Sequence, residues 1–299
     1  MSVNNSTEHK AGFVALVGRP NAGKSTMLNW ILGEKIALTS QKANATRRRL
    51  NAIVMHNDDQ IIFVDTPGLH AREKMLNQYM LEEALKAIGD CDIVVYLAPA
   101  SDSIKHYQRF LEVYAKKRKH IIVLSKIDQI SQNELLARIS EYNQFSSEFE
   151  ALIPMSVTKN VGKNDLLDVI VKHLDVSPYL YNPDDLTTEM LRDIYREFIR
   201  EAIFENISDE IPYESDVVID KIEENQRVEH IRATIIIEKE SQKGIIIGKS
   251  GAAIKRIGKD ARAKIEKLTD KPVYLDLFVS VKKGWTNDKK FLEELGYIN

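Results

Sequence analysis

The chain has 299 residues, of which 43% are hydrophobic and 29% are charged, and its formal net charge is −2. This length allows about two domains, and the single cysteine, Cys91, excludes an intrachain disulfide framework and a multi-cysteine metal site. Cys91 borders an apolar run, which predicts a buried structural thiol. No apolar run approaches the ~18 residues of a membrane span and the polar N-terminus has no signal-peptide pattern, so we expect a cytoplasmic protein.

Strand-like apolar runs alternate with helical stretches through the first half of the chain. The predicted strands are residues 13–17, 61–64, 93–97, 121–124 and 152–155. The predicted helices are residues 25–32, 74–88, 104–117, 132–144 and 164–173. This alternation predicts a doubly wound α/β domain. Residues 51–55 add an antiparallel edge strand, joined to residues 61–64 by a turn at residues 57–59.

The first loop of this domain, residues 18–25, reads Gly-Arg-Pro-Asn-Ala-Gly-Lys-Ser and matches the phosphate-binding pattern G-x-x-x-x-G-K-[ST]. Its glycines allow the backbone to wrap around an anion. We expect Lys24 to reach the β- and γ-phosphates and Ser25 to hold Mg²⁺. The flanking strand and helix disfavour the alternative of a chance glycine turn. The predicted nucleotide contacts here are Gly18, Asn21, Ala22, Gly23, Lys24, Ser25 and Thr26.

A second segment, Asp65-Thr66-Pro67-Gly68, follows the apolar strand at residues 61–64. The carboxyl ends of strands border the ligand crevice of an α/β sheet. Asp65 is therefore expected to hold Mg²⁺, and the Gly68 amide to reach a γ-phosphate. Alone, the tetrapeptide is equally consistent with a plain turn, since Asp and Pro-Gly favour turns. Its position after the phosphate loop favours the nucleotide site.

Two further polar segments follow predicted strands and suggest a site for a guanine base. Asp128 offers two acceptor oxygens to the N–H groups of guanine, and the stem of Lys126 would cover the ring. Each segment alone is consistent with a simple polar loop, but their order along the chain favours base recognition. The predicted base contacts are Ser125, Lys126, Asp128, Ser156, Val157 and Thr158.

The second half of the chain has a different pattern. Two prolines in residues 176–183 predict a linker, so we expect domains at residues 1–177 and 187–299, joined by residues 178–186. The predicted elements after the linker are a helix at 187–205, strands at 213–223 and 227–239, a helix at 251–268, a strand at 272–281 and a helix at 288–296. This order is α+β.

A Gly-x-x-Gly turn lies in the most basic part of this domain. Residues 243–271 contain nine Lys or Arg and three Asp or Glu, whereas residues 186–242 contain seven and fifteen. Such asymmetry predicts a face for a polyanion, and paired glycines allow close approach to a nucleic-acid backbone. The alternative is a turn that only caps a helix. The predicted RNA contacts are Ile247, Gly248, Lys249, Ser250, Gly251, Lys255 and Arg256.

Together these segments resemble the translation-factor class of GTPases and, within it, the Era family of bacterial ribosome-assembly GTPases with a KH domain. The resemblance runs from residue 12 to residue 299. It implies a P-loop GTPase domain with a mostly parallel, doubly wound sheet, followed by an α+β type II KH domain. It also implies GTP hydrolysis to GDP and phosphate with Mg²⁺. The implied partners are the 3′ end of small-subunit ribosomal RNA and the small ribosomal subunit, whose biogenesis the protein would serve.

The same resemblance assigns roles to individual residues. Thr46, within residues 36–49, matches the family's switch I threonine, which ligates Mg²⁺ in the GTP state. Asn21 matches an asparagine that in some relatives binds K⁺ in place of an arginine finger. The implied metal ligands are Ser25, Thr46 and Asp65. The implied catalytic residues are Lys24, Thr46 and Gly68.

Three positions depart from related patterns. Ser125 replaces the usual asparagine of the base motif and Val157 replaces an alanine, so we expect weaker base binding. Leu69 occupies the position of the water-orienting glutamine of Ras-like enzymes, which predicts slow intrinsic turnover. The alternative function is an RNA-binding module with a degenerate, non-hydrolysing nucleotide domain. The intact Lys24 and Asp65 favour the GTPase.

The remaining expectations concern location and packing. We expect a monomer. The resemblance implies peripheral contact at the inner face of the cell membrane, although no basic amphipathic helix stands out. Trp285 has two interpretations, base stacking or anchoring of the C-terminal helix, and we favour the second. The histidines show no metal-ligand spacing, which predicts surface or packing roles for His70, His106, His120 and His230.

Overall fold

The computed structural model describes residues 8–39, 46–67, 75–114, 120–208, 210–225 and 227–297. The described residues form two compact units. The N-terminal unit is drawn from Met1–Gly33, Arg49–His70 and Glu82–Thr188. The C-terminal unit is drawn from Glu34–Arg48, Ala71–Leu81 and Glu189–Asn299. Two segments from the first third of the sequence thus fold with the C-terminal unit. The boundaries expected at residues 1–177, 178–186 and 187–299 stay a prediction.

The N-terminal unit contains a six-stranded sheet with strand order β2-β3-β1-β4-β5-β6. The strands are β1 Ala11–Val17, β2 Leu50–His56, β3 Asp59–Asp65, β4 Ile93–Pro99, β5 His120–Ser125 and β6 Phe149–Pro154. Only β2 is antiparallel to its neighbour, β3, among these strands. The helices after them are α1 Lys24–Leu32, α2 Met75–Asp90, α3 Lys105–Tyr114, α4 Gln132–Asn143 and α5 Lys163–His173. The predicted mostly parallel α/β fold and its antiparallel edge strand are confirmed.

The core of this unit excludes water from both faces of the central strands. Every residue of β4 and β5 is buried, as expected for parallel strands covered by helices. Cys91 is 3% exposed, and burial raises the pKa of its thiol to about 12, so the predicted structural thiol is confirmed. His120 is also buried, and burial lowers the pKa of its imidazole to about 4. It is therefore a neutral core residue.

The C-terminal unit contains a three-stranded sheet with strand order β7-β8-β9. Its elements are α6 Leu191–Asn206, β7 Ser215–Glu224, β8 Glu229–Ile237, α7 Glu240–Ile247, α8 Ala252–Thr269, β9 Val273–Val281 and α9 Lys289–Glu294. β7 and β8 are antiparallel, and β8 and β9 are parallel. Buried residues of α6 recur at helical spacing and share one apolar core with α8 and the sheet.

Trp285 fixes the end of this unit. Its side chain is fully buried, and its indole N–H donates to the Glu214 carbonyl oxygen at 3.0 Å. The ring also packs edge-on against Phe291 of α9. The anchoring role is confirmed, and base stacking by Trp285 is wrong because no face of the ring is accessible. Among the residues that the structure describes, no helix is both long and apolar enough to cross a membrane.

Candidate nucleotide site and nucleic-acid interface

The phosphate loop connects β1 to the first turn of α1. A Cβ atom at Gly18 would lie 2.7 Å from the Leu97 carbonyl oxygen, so a side chain there would collide with backbone. Gly23 has a φ of 104°, which favours glycine, and α1 begins at the next residue. A helix leaves the N–H groups of its first turn without intrahelical partners, and these groups suit an anion. The local fold thus forms a backbone cradle that suits an anion, and the predicted phosphate contacts stay a prediction.

Lys24 lies inside this cradle and is only 7% exposed. Its ammonium donates to the carbonyl oxygens of Gly18 at 3.2 Å and Arg19 at 3.4 Å. Burial lowers the pKa of Lys24, and the charge of Asp65 opposes that shift. The Lys24 ammonium is therefore held within the loop by two carbonyl dipoles and by the charge of Asp65, and this arrangement suits a polyphosphate.

Ser25 and Asp65 meet beside the loop. The Ser25 hydroxyl donates to Asp65 Oδ2 at 2.7 Å. Asp65 Oδ1 is buried and has no hydrogen-bond partner among the described residues. Burial raises the pKa of Asp65, and Lys24 acts in the opposite direction. A hydroxyl beside a carboxylate with an unpaired oxygen is the hard oxygen donor set that Mg²⁺ prefers, so these residues fit the ion.

The expected roles of three other residues remain open. Thr46 belongs to the segment Glu34–Arg48, which folds with the C-terminal unit, so its role as an Mg²⁺ ligand stays a prediction. Gly68 and Leu69 lie outside the described residues, and their expected roles stay predictions. Thr26 is exposed on the first turn of α1.

The predicted base segments lie at the ends of β5 and β6. The Ser125 hydroxyl donates to the Ala22 carbonyl oxygen at 3.1 Å, which ties the end of β5 to the phosphate loop. Lys126 has a φ of 58°, and its ammonium donates to the Asn21 carbonyl oxygen at 3.0 Å. The side chain of Lys126 thus crosses the loop. The serine at position 125 therefore makes a specific contact with the phosphate loop.

Asp128 is exposed and oriented by the segment after β6. The Ser156 hydroxyl donates to Asp128 Oδ1 at 2.6 Å, and this bond lowers the pKa of Asp128. The carboxylate is therefore ionised and acceptor-only, as base recognition requires. The Ser156 amide donates to the Val161 carbonyl oxygen at 3.1 Å. Among the predicted base contacts Ser156, Val157 and Thr158, the Ser156 amide is therefore already hydrogen-bonded within its own turn.

Sequence reasoning missed two groups that support the site. The first is the Ser156 hydroxyl, which positions Asp128. The second is Asp102, which follows β4 and pairs with Arg19 of the phosphate loop. Arg19 Nη2 donates to Asp102 Oδ1 at 2.6 Å, and Arg19 Nε also contacts this carboxylate. No motif signals Asp102, because the pair joins residues 83 positions apart.

The Gly-x-x-Gly turn joins α7 to α8. Gly248 has a φ of 72°, and a Cβ atom there would lie 2.8 Å from the Ala253 amide nitrogen. Gly251 has a φ of 78° and faces open space. Lys249 is exposed at the tip, so the turn presents backbone and a cation together. The nearby basic residues Lys255 and Arg256 are also exposed.

The isoleucines beside this turn differ in exposure. Ile246 and Ile257 are fully buried in the core, so they pack the helix pair and do not line a groove. Ile247 and Ile254 are only half-buried. Of these four isoleucines, Ile247 and Ile254 therefore supply the accessible apolar surface next to the turn.

Comparisons with known proteins agree with this geometry. Residues 13–126 match the family described as 50S ribosome-binding GTPase, and residues 210–286 match the KH domain. GTPase Era of Campylobacter lari is 51% identical over 288 residues, which cover 96% of this chain and 99% of that protein. The chain belongs to the Era family. GTPase Era of Helicobacter pylori strain HPAG1 is also 51% identical, over 98% of both chains.

Solved Era structures extend the match to three dimensions. An Aquifex aeolicus Era variant bound to GDP and AlF4⁻ has a TM-score of 0.92 at 32% identity, over 97% of this chain and all of that one. Era in complex with MgGDPNP and nucleotides 1506–1542 of 16S ribosomal RNA gives the same values. The predicted family, fold class and GTPase activity are thus confirmed. GTP and GDP with Mg²⁺ are the ligands of this Era family GTPase.

Replacing Lys24 with alanine should remove nucleotide binding and leave the fold intact. Hydrogen bonds to charged groups contribute about 1.5–3 kcal/mol each, so GTP affinity should fall at least ~10-fold. Isothermal titration with GTP measures the change, and circular dichroism checks folding. Lys105→Ala, at an exposed lysine of α3, is the matched control and should bind normally. A folded Lys24→Ala variant with parental affinity would contradict the phosphate-loop assignment.

Replacing Ser125 with alanine should lower GTP affinity about fivefold, because one hydrogen bond of ~1 kcal/mol to the loop is lost. The preference for GTP over ATP should remain, since Asp128 is intact. Asp128→Asn should instead reject GTP and admit XTP, because one acceptor oxygen becomes a donor. Competition among GTP, ATP and XTP separates the two effects. Equal binding of ATP and GTP by the parent would show that this site does not read the base.

Proposed function

We propose that this GTPase binds the single-stranded 3′ end of small-subunit ribosomal RNA and acts as a switch in small ribosomal subunit maturation. The observation that carries the proposal is the presence, in one chain, of a phosphate loop with Lys24, Ser25 and Asp65 and of an exposed basic Gly-x-x-Gly turn. The Era relative solved with MgGDPNP and nucleotides 1506–1542 of 16S ribosomal RNA supports it. The intact Lys24 and Asp65 disfavour a non-hydrolysing RNA-binding module.

In the nucleotide site, each residue would have a distinct task. The loop amides and Lys24 bind the β- and γ-phosphates and offset charge that develops as the phosphoryl group is transferred. Bound Mg²⁺ would neutralise phosphate charge, held by Ser25 and Asp65 with Thr46 as the expected third ligand. The Gly68 amide is proposed to contact the γ-phosphate.

Base recognition would rest on an ionised Asp128 that Ser156 holds in place. Its two oxygens accept from the two N–H donors of guanine, whereas adenine does not present that pair. The Lys126 stem covers one face of the ring, and the amides of Val157 and Thr158 are proposed to donate to the guanine oxygen. Ser125 acts indirectly, because it fixes the loop against the end of β5.

The RNA site would use backbone and charge rather than a deep pocket. The exposed turn at Gly248 to Gly251 allows a nucleic-acid backbone to approach closely, and KH domains hold about four unstacked nucleotides in this way. Lys249, Lys255 and Arg256 supply the positive charge. Ile247 and Ile254 supply the apolar surface, and Ser250 completes the proposed contacts at the tip.

Charge reversal of Lys249 and Lys255 to glutamate should remove most RNA affinity, because juxtaposed like charges cost several kcal/mol. Both lysine side chains are exposed, so the fold should persist. Substitutions of the glycines are less suitable, because Gly248→Asp would collide with the Ala253 backbone. Fluorescence anisotropy with a labelled 3′ ribosomal-RNA oligonucleotide measures binding at several salt concentrations. The slope of log affinity against log salt should fall in magnitude by about 1.4, for two lost phosphate contacts.

The matched control reverses Lys267, in the last turn of α8, and Lys271, which follows that helix; both are exposed. That variant has the same net charge and should retain RNA affinity within about threefold, apart from long-range repulsion that salt screens. GTP affinity should be unchanged in both variants. Equal loss of RNA binding in the two variants would show that net charge, and not the turn, determines binding.

We further propose that Asn21 binds K⁺ beside the phosphates, where the ion stands in for an arginine finger. Asn21 has a φ of 62° within the phosphate loop. An arginine finger contributes about 10³–10⁵ to turnover, so even partial replacement should give at least a ~10-fold rate difference between KCl and NaCl at equal ionic strength. Asn21→Ala should remove that difference. Equal GTP turnover of the parent in the two salts would overturn the potassium proposal.

We also propose that the protein is a cytoplasmic monomer that contacts the inner face of the cell membrane. Flotation with vesicles of anionic bacterial lipid tests the membrane contact, and sedimentation velocity tests the monomer. A protein that stays unbound at low salt would overturn the membrane contact, and a dimer in sedimentation would overturn the monomer.

A further inference from the structure

Arg47, the residue after Thr46, is buried in the C-terminal unit. It is 2% exposed, and its guanidinium donates to three carbonyl oxygens, those of Ser215 at 2.7 Å, Tyr213 at 2.7 Å and Pro212 at 3.1 Å. These carbonyls belong to the stretch that leads into β7. An arginine held by several backbone acceptors is fixed in position, since each bond constrains the planar group in a different direction.

The charge of Arg47 is matched within the same core. Asp216 is fully buried, lies 3.9 Å from Arg47 Nη1 and 3.6 Å from Arg200 Nε, and accepts from the Tyr297 hydroxyl at 2.6 Å. Burial opposes ionisation, but Arg200, Arg47 and Arg48 together hold the pKa of Asp216 below its usual value. Breaking a buried pair leaves an uncompensated charge, so Arg47 cannot leave this position freely.

The rest of its segment is bound to the same unit. Arg48 lies 4.3 Å from the centroid of the Tyr297 ring. At the other end, Lys35 donates to Glu201 of α6 at 2.5 Å. Leu38 is buried and belongs to a small apolar cluster with Phe204 and Tyr213. The described parts of the segment are therefore anchored on both sides.

A chain of contacts continues from the Arg47 acceptors to the Gly-x-x-Gly turn. Glu214 lies among those acceptors, and its carboxylate accepts from Gln242 Nε2 at 2.7 Å. Gln242 is buried in the first turn of α7, where its Oε1 also accepts from the Lys239 amide at 2.9 Å. α7 ends at Ile247, directly before Gly248. The contacts thus connect Arg47 to the helix that carries the proposed RNA-binding turn.

We propose that Arg47 is the positioning residue that couples Thr46 to the RNA-binding turn, so that the bound nucleotide sets RNA affinity through residues 212–215, Glu214 and Gln242. The inference rests on the proposed function, in which Thr46 follows the nucleotide state. A displacement of Thr46 is transmitted through one peptide unit to Arg47, whose carbonyl acceptors must then move or be lost. Coupling of this kind is reciprocal, so RNA must also change GTP affinity by the same factor.

The test compares the RNA affinity of the protein in two nucleotide states. RNA dissociation constants are determined by anisotropy with a labelled 3′ ribosomal-RNA oligonucleotide, for the protein bound to GDP and to a non-hydrolysable GTP analogue. The parent should show a ratio of about 5–150 between the two states, the usual range of allosteric coupling. Arg47→Met should bring the ratio within about twofold of one, with RNA affinity in the GDP state within about threefold of the parent. Gln242→Leu should do the same, and combining the two should add nothing further.

Arg192→Met is the matched control, because Arg192 is exposed on α6 of the same unit, and it should keep the parental ratio. If Arg47→Met fails to fold by circular dichroism, Arg47→Lys keeps the charge beside Asp216 but cannot reach three carbonyls, and should still lower the ratio. A folded Arg47 variant with the parental ratio would overturn the inference. If the parent binds GTP and RNA but has equal RNA dissociation constants in the two nucleotide states, the inference is overturned and the proposed ligands stand. If the parent binds no RNA, the proposed function is overturned as well.

Discussion

The nucleotide site depends on the burial of two opposite charges, those of Lys24 and Asp65. Burial disfavours both charges, lowering the pKa of the lysine and raising that of the aspartate, and each partner partly corrects the other. The ammonium is held by loop carbonyls, and Asp65 keeps one buried oxygen unpaired. Such a site gains stability from ligands that bring the missing charges, namely phosphate for the lysine and a cation for the carboxylate.

The parallel sheet brings the described base-site segments to the edge that holds that pair. β1, β3, β5 and β6 end at one edge, and each is followed by a segment with a nucleotide-site residue. Neighbouring segments are then joined by specific bonds. Ser125 to Ala22 links the end of β5 to the phosphate loop, and Ser156 to Asp128 links the segments that follow β6 and β5. These bonds explain how a chain with serine at position 125 keeps an ordered base site.

Much of this arrangement was predictable from sequence because it is local. The phosphate loop, Asp65, Asp128 and the Gly-x-x-Gly turn each combine a short motif with a flanking strand or helix. The support for these motifs was not predictable, because Asp102 pairs with Arg19 across 83 residues and Arg47 contacts Ser215 across 168. Long-range polar pairs leave no periodic signal in a single sequence. The hydrogen bond of the Ser156 amide likewise depends on a bridge to Val161. No spacing of residues in the sequence indicates that bridge.

The central claim is that one chain joins GTP hydrolysis to recognition of a single-stranded RNA. The most direct measurement is steady-state GTP turnover at saturating GTP, with increasing amounts of a 3′ small-subunit ribosomal-RNA oligonucleotide and, in parallel, a scrambled oligonucleotide of equal length and composition. Only the ribosomal sequence should change the rate, saturably and at the concentration at which it binds. Turnover that is identical with both oligonucleotides, at concentrations where binding is complete, would contradict the central claim.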